Sequence, residues 1–111
     1  MTNVFFDKCV FEKMNYFSNK MEISFSEPEG ENISINIDNV FFLTQQGEMQ
    51  KIKYVSVREE TSLCLDIRHR LKISDTIKLF EVIFFYEKSM EIIPIRIVAE
   101  NAKIILTKQN I

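Results

Sequence analysis

The chain has 111 residues, 46% of them apolar and ten of them Phe, with two Gly, two Pro and a net charge of −2. That length accommodates one domain with a modest core and excludes two, and so small a charge excludes general nucleic-acid binding by phosphate attraction. No apolar run approaches the roughly 20 residues of a membrane helix, and Asp7 and Lys8 interrupt the first ten residues, so neither a membrane span nor a secretory signal is expected and the expected setting is a reduced cytoplasm.

Within a single domain of residues 1–111, residues 1–20 form a helical or extended N-terminal segment and residues 21–108 the β-body. In the first segment Phe6, Val10, Met14 and Phe17 follow one another four, four and three apart, which predicts a helix from about Asp7. A strand over Val4 to Phe6 followed by a shorter helix fits the same residues. Such a helix would serve as a lid over one open end of the β-structure or as a docking element for a partner.

Lys20 to Glu27 alternates, with Met21, Ile23 and Phe25 opposite Glu22, Ser24 and Ser26, and reads as a half-exposed strand closed by Pro28-Glu29-Gly30. Asn32 to Asp38 is the cleanest alternation in the chain. Ile33, Ile35 and Ile37 face a core and the polar residues face water, so the sheet is antiparallel with one face buried. Val40 to Thr44 continues as a bulged or bent strand, Gln45 to Glu48 turns, and Met49 to Val57 is a strand whose apolar face switches from Ile52 and Tyr54 to Val55 and Val57, as a bulge would explain. Ser62 to Ile67 reads as another strand with Leu63, Leu65 and Ile67 inward, and Lys72 to Asp75 as a surface loop.

The last third carries the clearest strand pair. Ile77 to Tyr86 is β-branched, aromatic or apolar at nearly every position and would wrap a helix in bulky groups on all sides, so it predicts a strand. Glu87-Lys88-Ser89 reverses it, and the partner runs to Val98, with Pro94 placing that strand at an edge or leaving it paired on one side only at that point. Ala99 to Ala102 then turns into a short final strand, Lys103 to Thr107, completing a meander. About eight strands spaced roughly 8 to 12 residues apart predict a small antiparallel β-barrel or sandwich with an N-terminal helix.

Chemistry-bearing residues are few. His69 stands between two cations, Arg68 and Arg70, with no second histidine or paired cysteine to complete a metal site, and reads as a solvated loop residue. Cys9 and Cys64 sit among apolar neighbours and read as buried thiols. No catalytic residue, metal or cofactor is expected. Arg68, His69, Arg70 and Lys72 make the one concentrated positive patch, and Arg68 and Arg70 with Arg58 are the residues that a phosphate-bearing ligand would use, although Glu59, Glu60 and Asp66 stand ready to neutralise them. Phe84 and Phe85 point to opposite faces of a regular strand, so one of them leaves the main core for a face that the N-terminal helix or a partner covers. Phe5, Phe11, Phe84 and Phe85 are accordingly the expected partner surface.

From Val55 to Thr107 this order of features resembles a PilZ domain: a loop, a short strand at Ser62-Leu63-Cys64-Leu65, a loop ending in Ile73-Ser74-Asp75, the long strand, its hairpin partner and a last strand. The resemblance implies a six-stranded barrel. PilZ domains that bind cyclic di-GMP use Arg-x-x-x-Arg before the barrel and an Asp/Asn-x-Ser-x-x-Gly turn. Here Val57-Arg58-Glu59-Glu60-Thr61-Ser62 differs at all three signature positions, and no arginine precedes Arg58. The resemblance therefore implies a non-enzymatic regulatory or adaptor domain that binds a protein partner. A cyclic-dinucleotide sensor without the motif and a small inhibitor of another macromolecule are the alternatives; no membrane or nucleic-acid partner is expected.

Overall fold

The computed structural model describes residues 2–5, 9–28, 31–45, 49–86 and 95–108. They form β1 (Thr2–Phe5), β2 (Val10–Phe17), β3 (Lys20–Ser26), β4 (Glu31–Gln45), a 3-10 turn (Met49–Lys51), β5 (Ile52–Glu59), α1 (Ser62–Leu71), β6 (Phe80–Tyr86) and β7 (Ile95–Lys108). All seven strands belong to one antiparallel sheet in the order β1-β5-β6-β7-β4-β3-β2. The expected β-architecture is present as a curled half-barrel.

The curl follows from two distances. Three strand spacings separate β3 from β6, roughly 14 Å in a flat sheet, yet the rings of Phe25 and Phe84 stack 6.5 Å apart across the concave face. Likewise β1 ends at Phe5 and β2 begins at Val10, a link that reaches at most about 18 Å between edges that a flat sheet would hold roughly 29 Å apart. The sheet closes on its own apolar lining: Met21, Ile23 and Phe25 of β3, Ile33, Ile35 and Ile37 of β4, Val55 of β5, Val82 and Phe84 of β6 and Ile95 and Ile97 of β7 share one cluster. Met49, in the 3-10 turn that rests against β2, enters the same cluster.

The clean alternations in β3 and β4 fold as the sequence dictates, with the apolar members buried and their neighbours at the surface. The bulge or bend expected over Val40 to Thr44 is a bulge between Val40 and Phe42. The bulge expected where the apolar face passes from Tyr54 to Val55 lies earlier, between Ile52 and Tyr54, and Met49–Lys51, expected as strand, is the 3-10 turn. The long hairpin is present as β6 paired with β7, but β6 begins at Phe80 and not at Ile77. β7 is interior to the sheet, between β6 and β4, and not at an edge. The turn, Glu87 to Ser89, and Pro94 lie outside the described residues, as do Glu29, Gly30 and residues 46–48.

Three further expectations are corrected. The N-terminal segment is extended over Thr2–Phe5 and Val10–Phe17, so no helix occupies Val10 to Phe17; Phe6, Asp7 and Lys8 lie outside the described residues. β2 pairs with β3 along its length, and a bulge between Phe11 and Lys13 shifts the phase of its apolar residues, which is what made their spacing look helical. Ser62 to Leu71 is a helix, not a strand. Thr61 caps it in an extended conformation with its hydroxyl accepting the Cys64 N–H at 3.3 Å, and Lys72 ends it at φ 55°. The inward face is then Leu63, Cys64 and Ile67, spaced for a helix, while Leu65 is 54% exposed. Finally, Ala99 to Ala102 is not a turn. β7 runs unbroken through it while its inward residues slip from Ile97 and Ala99 to Ala102 and Ile104. Opposite the slip, β4 has Asn39 at φ 54°, its side chain donating to Glu100 at 2.6 Å.

α1 lies on the convex side. Cys64 and Ile67 form a second cluster with Leu79 and Val98, flanked by Phe41, Phe42, Leu63, Ile73 and Ile77. This helix and its following loop thus cover part of the convex apolar face, and the bulge in β4 turns both Phe41 and Phe42 toward them.

Candidate partner-binding edge

Of the two strands that end the sheet, β2 is the longer, and β3 is its only strand partner among the described residues. The β2–β3 hairpin turns on two residues, Ser18 and Asn19, with φ 49° and 62°. Two successive left-handed residues make the type I′ turn that matches the strands' own twist, and asparagine tolerates it well. The tip is tied down on both sides: Tyr16 Oη donates to Asn19 Oδ1 at 3.3 Å, and the Val40 N–H donates to the Asn19 carbonyl at 3.2 Å.

Phe11 and Met14 pack against the concave core, Phe11 edge-on to Phe25 at 5.8 Å. The remaining apolar residues of β2 are open to solvent: Phe17 is 79% exposed, Val10 56% and Tyr16 52%. Phe17 also stands at one side of a shallow convex groove of about 450 Å³ that includes Lys20, Asp38 and Asn101, the residues in register with it across β3, β4 and β7. Among the described residues the edge therefore offers a strand side with no partner strand and exposed apolar side chains on a hairpin whose turn is tied down.

The residues singled out in the sequence are placed differently. Phe5 is 64% exposed on β1, tilted against Tyr54 at 5.4 Å. Phe84 and Phe85 are both buried, which removes them from the expected partner surface: Phe84 fills the concave core, and Phe85 stacks on Tyr54 at 4.6 Å on the other side of β6. Neither Val10, Tyr16 nor Phe17 was expected at the surface of a strand, since that reading requires the Ser18-Asn19 turn to outweigh the helical spacing before it.

The cationic cluster is spent within the molecule. Arg68 grips the Glu60 carboxylate with two contacts, 2.6 and 2.8 Å, and donates to the Ser74 carbonyl at 2.5 Å. Arg70 pairs with Asp66 one helical turn earlier at 3.2 Å, and Arg58 donates to Ser56 on its own strand at 3.3 Å. With exposed His69, Arg68 and Arg70 form the last turn of α1, where positive charge complements the helix C-terminus. His69 is thus helical rather than in a loop. Among the described residues no group of three His, Cys, Asp or Glu side chains is placed to hold a metal.

Glu60 is the centre of this arrangement. Its own N–H donates to the Leu79 carbonyl at 3.0 Å, and its carboxylate accepts the Leu79 N–H at 2.9 Å. The Leu79 amide, and after it Arg68, hold the carboxyl below its usual 4.5 despite partial desolvation. A carboxyl with a depressed folded-state pKa contributes stability that is fully present above the unfolded value and lost as pH falls through the folded one. Urea midpoints of the wild type and Glu60→Gln are therefore expected to differ above about pH 5 and to converge below pH 4.5. A gap that stays constant across that range would remove the charge from the explanation.

No family model, curated protein or solved structure matches this chain. β6 and β7 are paired as the long hairpin, whereas Ser62–Leu71 is a helix and Ile95–Lys108 is one continuous strand.

Proposed function

We propose that the chain is a non-enzymatic adaptor or regulatory domain that docks onto protein through the open edge of β2. One observation carries this reading: a strand that, among the described residues, has no strand partner along one side also exposes Val10, Tyr16 and Phe17. Edge strands are ready templates for another chain, and strand addition draws affinity from main-chain hydrogen bonds and specificity from alternate side chains. The groove beside Phe17 supplies a second contact on the convex face. The reading takes the setting to be a reduced cytoplasm; of the two thiols expected to be buried, Cys64 is buried and Cys9 only half-buried. A ligand sensor draws less support, because Arg68 and Arg70 already hold carboxylates.

The test is a photoreactive side chain at position 17, introduced in cells, with the same group at Leu65 on the exposed side of α1 as control. Position 17 is expected to join a protein in stoichiometric yield and position 65 to give background, with the yield falling at least tenfold in Tyr16→Lys. Equal labelling from both positions, or none, would remove β2 as the docking edge.

A further inference from the structure

Resting on the reading of β2 as a docking edge, we infer that its occupant is the β2 edge of a second copy of this chain, added antiparallel about a two-fold axis through Met14. The backbone sets the first condition. Residues flanking a two-residue hairpin loop exchange hydrogen bonds, so Phe17 and Lys20 are such a pair. By alternation Lys13, Asn15 and Phe17 turn their amides toward β3, and Met14 and Tyr16 turn theirs to the open side. Met14 on the axis therefore meets the partner's Met14 as a doubly hydrogen-bonded pair.

The side chains set the second condition. Strands in one sheet must match inward residues with inward and outward with outward. With Met14 on the axis, Lys13 lies opposite the partner's Asn15. Beyond the bulge between Phe11 and Lys13, which advances the register by one residue, Phe11 lies opposite the partner's Tyr16 on the concave side and Val10 opposite the partner's Phe17 on the convex side. Every exposed apolar residue of β2 thus gains an apolar neighbour. Moving the axis to Asn15 sets Lys13 against the partner's Phe17 and leaves Val10 and Phe11 beyond the overlap.

A kink and a lysine ordinarily guard an edge against stray strands. In this register they select for one strand, since a second copy brings an amide to Lys13 and a straight segment, Tyr16 and Phe17, to the kink. The two-fold axis makes the contact self-closing, so it yields dimers and not fibres. One strand edge buries less than a standard interface, so the dimer is weak and in the micromolar range.

The experiment uses the purified full-length chain. Sedimentation equilibrium is expected to show a concentration-dependent dimer. In a Cys9→Ser background, Met14→Cys is expected to form a disulfide-linked dimer on mild oxidation, because opposed Cα atoms in such a pair lie about 5.5 Å apart, within disulfide reach. Asn15→Cys is expected to stay unlinked, since its counterpart is displaced by two residues. Asn15→Asp places a carboxylate opposite the partner's Lys13 twice and is expected to tighten the dimer about fivefold, whereas Lys13→Glu with Asn15→Asp loosens it by a similar factor. These charge variants keep the question answerable if a cysteine disturbs folding. A chain that is monomeric at all concentrations, or cysteines at 14 and 15 that link equally, overturns the inference. If that happens while position 17 captures a different protein, the docking edge stands and only its occupant is wrong; if both experiments fail, both readings fall.

Discussion

Phe84→Ala is expected to lower the folding free energy by about 3–5 kcal/mol, the cost of removing a buried phenyl ring from a core that cannot fully collapse around the gap. Phe84 is fully buried, belongs to the concave cluster and stacks on Phe25 from the far side of the half-barrel. It is one of the contacts that hold the curl. A domain of this size has about 5–15 kcal/mol in total, so the variant is expected to be partly unfolded at physiological temperature. Phe84→Leu, which keeps most of the volume, is expected to lose under about 1.5 kcal/mol.

Phe85→Ala tests the opposite side of the same strand. Phe85 is as buried as Phe84 but stacks on Tyr54, whose ring also meets Phe5. Its loss is expected to be of the same order, about 3 kcal/mol, whereas Phe17→Ala, at a site 79% exposed, is expected to lie within about 0.5 kcal/mol of wild type. Urea denaturation of the three variants gives the ranking. A cost below about 1 kcal/mol for either buried ring would mean that the sheet is not curled over Phe84, or that Phe85 does not lie against Tyr54.

Where one face of a strand is buried and the other wet, the sequence states the fold directly. Met21, Ile23 and Phe25 and the isoleucines at 33, 35 and 37 are spaced by twos because water and core alternate at that interval. The long hairpin was equally readable, since five bulky residues in succession at 82–86 suit a sheet covered on both faces. Legibility fails where an irregularity shifts the phase. The bulge in β2 converts a strand period into a helical one, and the slip at Ala99 to Ala102 imitates a turn inside a continuous strand. Over Ser62 to Ile67 both periods fit. Thr61 decides for the helix, by offering its hydroxyl to the first turn in a way that a period count over apolar residues does not register.

The candidate site was legible only in outline. Phe5 is at the surface and Phe11 is half-buried near the edge, as apolar residues outside the main pattern should be. The docking strand itself was hidden by the helical reading of residues 7–20. The neutralising partners of the arginines were readable from the carboxylates nearby, because Glu60 and Asp66 lie within eight residues of the cations that they hold.

Glu81→Ala is expected to cost about 2–4 kcal/mol and to release α1 from the sheet. Glu81 is a buried acid on the convex side of β6. Its Oε1 accepts the Thr61 hydroxyl at 2.5 Å, and its Oε2 lies 2.7 Å from Arg96 Nε on β7. Thr61 thus works in both directions, accepting the Cys64 N–H of the helix and donating to the sheet. Removing the carboxylate takes from the part-buried Thr61 hydroxyl its Glu81 acceptor, leaving it only Cys64 Sγ at 3.3 Å, and leaves Arg96 without its counter-charge. The cost falls short of the 3–5 kcal/mol typical of a fully buried broken pair, because the Arg96 side chain is 39% exposed and can turn to water.

Glu81→Gln retains an oxygen for Thr61 and loses only the charge, so about 1–2 kcal/mol is expected. A double-mutant cycle with Arg96→Met separates the two contributions, with a coupling of about 1–2 kcal/mol expected between positions 81 and 96. Replacing both with methionine fills the space with apolar atoms and is expected to recover most of the stability, since a buried ion pair gives little over a well-packed apolar substitute. The tether to Thr61 is not recovered in that variant. Amide exchange over Cys64 to Arg68 should therefore remain faster than in wild type even where global stability returns. If those amides stay as protected in Glu81→Ala as in the wild type, the helix is held by Cys64, Ile67 and their apolar neighbours alone, and the acid serves only Arg96.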